Sequence, residues 1–203
     1  MLNISNVYLF LLLLSAIISF FLVYYIWRRF VLEKDMNPAK YLMIILAGVF
    51  VWSIGAALAL WFPSEGLTYF CEQWKYVGIV FIPPTWVLFA SSWTGRDNWI
   101  NIKTVLALFF IPLISLPLIF SDAVHHLFWE KIAYIPVGPY LSTTVVHGPA
   151  WWMFWIYAYI MLIIGSFYIF KSAITLQNVY KKQAFLLLIG AFIPWIANIL
   201  FSL

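Results

Sequence analysis

The sequence predicts an all-α integral membrane protein: a bundle of six spanning helices, N-terminus outside, with a small extracellular β-hairpin between spans four and five. Of its 203 residues 66% are hydrophobic and 9% charged, and mean hydropathy is +0.99. A soluble domain is roughly half apolar and one-quarter charged. Apolar runs near the ~20 residues needed to cross a hydrocarbon core of ~30 Å recur along the chain, and charges fall almost entirely between them. These observations exclude a water-soluble fold. The net charge of +4 is split into short clusters rather than gathered in one patch, which argues against a nucleic-acid partner.

The first run, about 7–30, has no basic stretch before it and no small-residue cleavage site, and Arg28 and Arg29 follow it. It therefore reads as a retained helix rather than a signal peptide. The next runs are about 41–61, 74–93, 103–121, 149–170 and 182–203. Arg28, Arg29, Lys34 and Lys40 lie between spans one and two, Arg96 and Lys103 between three and four, and Lys171, Lys181 and Lys182 between five and six. These nine of the 11 basic residues share one side, leaving Lys75 and Lys131 on the other. The positive-inside rule then puts the basic loops in the cytoplasm. Trp61, Trp74, Trp129, Trp151 and Trp152 fall near the outer surface, and Trp27, Trp93 and Trp99 near the inner one. Interfacial anchoring explains such positions without a cofactor.

The one long connection, 122–148, is predicted to form a lid over the outer mouth of the bundle. Its segment from Ala133 to Val146 carries β-branched and aromatic residues on both sides of Val137-Gly138-Pro139, as a hairpin does. His147-Gly148-Pro149 leads into span five with proline at a plausible first helical position. The whole chain, 1–203, reads as one domain. An even number of spans leaves Leu203 outside, so the chain looks cut short.

The three histidines, His125, His126 and His147, share the outer loop with Asp122 and Glu130. Imidazoles and carboxylates are ordinary Zn²⁺ or Cu²⁺ ligands. However, adjacent residues on a helix point about 100° apart, and no His-x-x-x-His pair occurs. Hydrogen bonding to the backbone at the lid hinge is the plainer expectation, with pH sensing as a further option. Glu72 and Lys75 have the spacing of a same-face ion pair at the outer end of span three, beside Tyr76. The segment Phe81-Ile-Pro-Pro-Thr-Trp86 should break that helix, because Pro83 and Pro84 cannot donate backbone hydrogen bonds. Pro194 with Asn198 is expected to kink span six and pair an amide inside the bundle. Trp86, Phe89 and Trp93 form a helical stripe, and Trp151, Trp152, Trp155 and Tyr159 crowd span five; packing is the cheaper explanation, an aromatic cage the alternative.

A single cysteine, Cys71, allows no intrachain disulfide or Cys-based metal site. No phosphate loop, zincin motif, nucleophile elbow, mid-span lysine or paired intramembrane carboxylate is present. No cofactor and no catalysis by this chain are expected.

Gln73-Trp-Lys-Tyr-Val-Gly78, Pro83-Pro-Thr-Trp86 with Phe89, and Thr94-Gly-Arg96 stand in a distinctive order. They are followed by His125-His-Leu-Phe-Trp129, His147-Gly-Pro-Ala-Trp-Trp152, Tyr157-Ala-Tyr159, Tyr180-Lys-Lys-Gln183, Gly190-Ala-Phe-Ile-Pro194 and Asn198. Taken together, these segments resemble the N-terminal seven-helix membrane region of sensor histidine kinases over nearly the whole chain. The resemblance implies a multi-pass cell-membrane sensor, here with six of the seven spans, that works as a homodimer. It would receive a small-molecule or lipid ligand and pass a conformational signal to a cytoplasmic output module. Trp74, Tyr76, Trp86, His125, His126, Trp129, His147 and Trp152 are the candidate ligand-binding residues, and Pro83, Pro84, Pro194 and Asn198 the candidate hinges. A small transporter or channel subunit is the alternative, disfavoured by the lack of an inverted repeat and by few charges within spans. An intramembrane enzyme would need an acid-base pair that is not found.

Overall fold

A computed structural model describes residues 4–32, 37–62, 64–137, 140–175 and 178–202. The helices in chain order are α1 (Ile4–Leu32), α2 (Asn37–Trp61), α3 (Glu65–Ile79), α4 (Ile82–Trp93), α5 (Ile102–Phe120) and the single turn α6 (Asp122–His125). A two-stranded hairpin, β1 (Trp129–Val137) and β2 (Tyr140–His147), precedes α7 (Pro149–Thr175) and α8 (Asn178–Ser202). Among the described residues, five segments are long and apolar enough to cross a membrane: Asn6–Arg29, Pro38–Trp61, Glu65–Trp93, Ile102–Phe120 and Pro149–Ile174. The expected sixth span falls in α8, which is not among the five. That helix runs through Pro194 without interruption, and the side chain of Asn198 lies outside the described residues.

The third span begins nine residues before the expected position 74, at Glu65, and is built from two helices end to end. Its first turns are too polar to read as a membrane span. Some of their polar groups are met by neighbours: the Gln73 amide donates to the Ile119 carbonyl at 2.8 Å, and Lys75 pairs with Glu72 at 2.7 Å, whereas the buried Thr68 hydroxyl has no partner among the described residues. The helix breaks at Val80-Phe81, as expected from the proline pair. Pro83 and Pro84 then occupy the first turn of α4, where a missing N–H costs little. From Pro83 to Ser92 every residue of α4 is buried; it packs between α2 and α7.

Proline also shapes α5, at Pro112 and Pro117. Pro112 cannot donate to the Leu108 carbonyl, and the Tyr157 hydroxyl of α7 donates to that carbonyl instead. The start of α5 is fastened by a capping box: the Asn101 side chain accepts from the Thr104 N–H while the Thr104 hydroxyl accepts from the Asn101 N–H. Gly48 of α2 and Gly78 of α3 meet backbone to backbone; a Cβ built on Gly48 would stand 2.9 Å from the Gly78 oxygen. Such small-residue contacts allow close helix approach where lipid gives no hydrophobic drive to association.

Two buried clusters lie at opposite ends of the bundle. One joins Trp86, Leu88 and Phe89 to Leu162, Ile169 and Leu188. The other joins Val80 and Ile119 to Phe128, Trp129, Trp151 and Phe154, beneath the hairpin. Interfacial anchoring therefore does not describe Trp129 (2% exposed) or Trp151 (5%), which are core residues, whereas Trp61 (61%) and Trp27 (53%) remain on the outside of the bundle.

Candidate functional site

The hairpin is longer than expected, starting at the buried Trp129 rather than at Ala133. Pairing is antiparallel from Trp129↔His147 to Val137↔Tyr140, with an irregularity between Trp129 and Lys131. The extra residue there, Glu130, points to solvent. This bulge reverses the in-and-out alternation, so Trp129 turns inward although Ile132 and Tyr134 also lie on the half-buried face.

Asp122 holds this entry in place. Its carboxylate is 1% exposed and accepts from the backbone N–H of Phe128 at 2.7 Å and of Trp129 at 3.2 Å. The His126 N–H donates to the Asp122 carbonyl at 2.8 Å, and His126 takes a left-handed conformation (φ 52°) that turns the chain from α6 toward β1. His125 Nδ1 accepts from the Leu127 N–H at 3.0 Å, and its Nε2 lies 3.0 Å from the Ser121 hydroxyl. The backbone-bonding reading of His125 thus describes its geometry. Gly148 closes the far end: its N–H donates to the Phe128 carbonyl at 2.9 Å, and its Cα lies so close to the Leu127 carbonyl that a side chain would collide.

Under the hairpin lies an aromatic nest. The Tyr76 ring meets Phe128 edge to face at 4.9 Å and Trp129 at 5.8 Å, and its hydroxyl accepts from the Trp151 indole at 3.0 Å. The His147 imidazole lies flat on Trp151, ring centres 3.6 Å apart and planes within 5°. Trp152 approaches His147 edge-on at 6.4 Å, and Trp155 stacks on Trp151 at 6.2 Å. Burial lowers the His147 pKa below its ordinary value, keeping the ring neutral near pH 7. Two polar atoms in the nest, His147 Nδ1 and Trp155 Nε1, are buried without a hydrogen-bond partner among the described residues. A second fastening runs from the Thr143 hydroxyl of β2 to Glu72, at a long 3.5 Å. The Tyr140 hydroxyl near the hairpin tip donates to Asn6, so the start of α1 and the hairpin share one end of the bundle.

Of the candidate ligand-binding residues, the structure brings together Tyr76, Trp129, His147 and Trp152. Trp86 belongs to the opposite cluster, where its indole donates to Ser166 at 3.3 Å and its ring stacks on Phe89 at 5.6 Å. Trp74 is 40% exposed and stacks on Phe70 outside the nest. His126 is exposed at the α6 terminus. Among the described residues no three His, Cys, Asp or Glu side chains converge as metal ligands. Phe128, Trp151 and Trp155 complete the nest but are not among the candidate ligand-binding residues; Trp151 and Trp155 belong to the aromatic crowding of span five, whereas Phe128 carries no such signal.

A family model described as the N-terminal 7TM region of histidine kinase matches residues 11–203. The chain belongs to that family. It is therefore a multi-pass membrane protein and an input region of a histidine kinase rather than a catalytic domain. Neither the curated proteins nor the solved structures gave a match.

Proposed function

We propose that this 7TM region receives its input at the nest under the hairpin, on the outer side of the membrane, and passes it inward through the broken third span. The observation that carries the proposal is positional. Phe128 (0% exposed) and Trp129 are clamped on Tyr76 of α3, one helical turn before the break at Val80-Phe81. A displacement of the hairpin thus acts on the element whose continuity is already interrupted. The unpartnered His147 and Trp155 nitrogens support a ligand with an apolar, flat body and a polar group able to meet them. A ligand bound more tightly to one of two hairpin positions biases α4, and with it a cytoplasmic output module, by its differential affinity.

The outward orientation is supported by the basic residues at the bundle end opposite the hairpin. A homodimer is the working form proposed for the full-length protein, by analogy with the role of such input regions.

The test is kinase output of the full-length protein in its own membrane, titrated with the medium or lipid extract that activates it. Trp129→Phe and His147→Gln are expected to move the midpoint by about 5- to 150-fold, the range of ordinary coupling energies, with insertion unchanged. Unchanged midpoints in both variants would remove the nest from the input pathway.

A further inference from the structure

Trp152 is in ring contact with three members of the nest: its ring centre lies 6.4 Å from His147, 4.9 Å from Trp151 and 5.8 Å from Trp155. Trp151 is buried, whereas Trp152 is 38% exposed, so it forms the outer wall of the nest. Helical periodicity says what lies beyond that wall. At about 100° per residue, Trp152, Ile156, Ile163 and Phe167 of α7 fall within about 60° of arc, and all four are exposed. This stripe runs down a membrane-spanning segment, Pro149–Ile174, where the medium is hydrocarbon. The α6 corner continues the same surface. Its Leu127 carbonyl accepts from the Ala150 N–H at 2.9 Å, and Val124 and Leu127 are exposed as well.

The charged side chains at this end of the bundle are already accounted for. Glu72 and Lys75 pair with each other, Asp122 accepts from two backbone N–H groups, and Glu65, Glu130 and Lys131 are exposed. A charged ligand would therefore find no counter-charge in the nest, and an ion buried without one is strongly disfavoured. The polar atoms left over among the described residues are His147 Nδ1 and Trp155 Nε1. An indole N–H only donates, so Trp155 calls for an acceptor.

We infer that the nest, on the reading above that it is the input site, takes an uncharged planar molecule with a carbonyl-type acceptor, which enters from the leaflet on the hairpin side past Trp152. The acceptor meets the Trp155 N–H, and the plane of the molecule lies against the Trp151 indole. Trp152 swings toward lipid to admit it, exchanging ring contacts for contacts of similar polarity. A ligand of this class partitions into the bilayer, so its concentration at the wall is set by the membrane.

The full chain in phosphatidylcholine nanodiscs is incubated with tritiated fluorenone, with fluorene, which has the same frame and no acceptor, or with an anionic carboxylate of fluorenone. Uptake by empty discs is subtracted. One saturable fluorenone per chain is expected, bound about tenfold more tightly than fluorene, the worth of one net hydrogen bond. Trp155→Phe, which keeps a ring in the stack, should bring fluorenone down to the level of fluorene, with fluorene binding unchanged as the sign that the nest is intact. A nitroxide on Trp152→Cys, with the buried Cys71 replaced by alanine, should collide with oxygen rather than with a water-soluble nickel chelate. The inference is overturned by an absence of saturable fluorenone binding, by equal binding of fluorenone and its carboxylate, by a fluorenone preference that survives Trp155→Phe, or by a nitroxide that meets the chelate more than oxygen. None of these measurements reads kinase output. Saturable binding with output midpoints unmoved in Trp129→Phe and His147→Gln would uphold the ligand class and entry route while removing the input reading alone.

Discussion

Removing the Asp122 carboxylate should release the hairpin while leaving the helices inserted. The carboxylate is 1% exposed and accepts two backbone hydrogen bonds, at 2.7 and 3.2 Å, from Phe128 and Trp129, which are themselves 0% and 2% exposed. Hydrogen bonds to a charged acceptor are worth about 1.5–3 kcal/mol each, and a buried donor left unpaired forfeits its full desolvation cost. Asp122→Ala therefore destabilises the closed hairpin by about 3–5 kcal/mol, the sum of two such bonds less what entering water restores. Asp122→Asn keeps an oxygen in the same place and loses only the charge assistance, about 1–2 kcal/mol. The assay is amide hydrogen exchange of the segment 121–132 in nanodiscs. At 1.4 kcal/mol per decade, Asp122→Ala should lower protection by about two to three and a half decades, and Asp122→Asn by roughly one. Protection of the spanning helices should not change. Protection in Asp122→Ala within threefold of the parent would refute the claim that this carboxylate fastens the hairpin, and equal losses in the two variants would refute the acceptor argument.

Gly48→Ala should destabilise the bundle by about 1–3 kcal/mol, since its methyl must push against the Gly78 carbonyl; the midpoint of thermal unfolding in detergent reports it, and an unchanged midpoint would mean that α2 and α3 are not in backbone contact. The hairpin should loosen in acid. Burial depresses the His147 pKa below its ordinary 6.5, so above pH 6.5 folded and unfolded chains are alike neutral there, and below it the unfolded chain takes up the proton first and gains stability. Hairpin stability, followed by tryptophan fluorescence, is expected to be flat from pH 8 to about 6.5 and to fall below that, with His147→Phe, which keeps the stack, removing the part due to this residue. Topology can be read by labelling: Glu130→Cys should react with a membrane-impermeant maleimide in intact cells, and Lys181→Cys only after permeabilisation, the opposite pattern reversing the orientation.

The period and composition of the sequence determined most of the architecture. Runs of about 20 apolar residues have one physical meaning in a bilayer, so five of the six expected spans and the pairing of the two strands between spans four and five were legible directly. Pro83-Pro84 likewise announced the break at Val80-Phe81, because the missing donors are a property of the residues themselves. Partners distant in sequence were not legible. Glu65 to Gln73 read as too polar for a span until Gln73 met the Ile119 carbonyl, and Tyr157 could not be linked to a carbonyl freed by Pro112 from spacing alone. The same limit separated the tryptophans. Trp61, Trp74, Trp129 and Trp151 are chemically identical and sit at similar expected depths, but only packing against Tyr76, together with a bulge at Glu130, makes Trp129 and Trp151 core residues and leaves the others outside. Local chemistry is written in each residue, whereas burial and hydrogen-bond satisfaction depend on which surfaces the helices bring together. The grouping of Tyr76, Trp129, His147 and Trp152, and the exclusion of Trp74 and Trp86 from it, was therefore decided only in three dimensions.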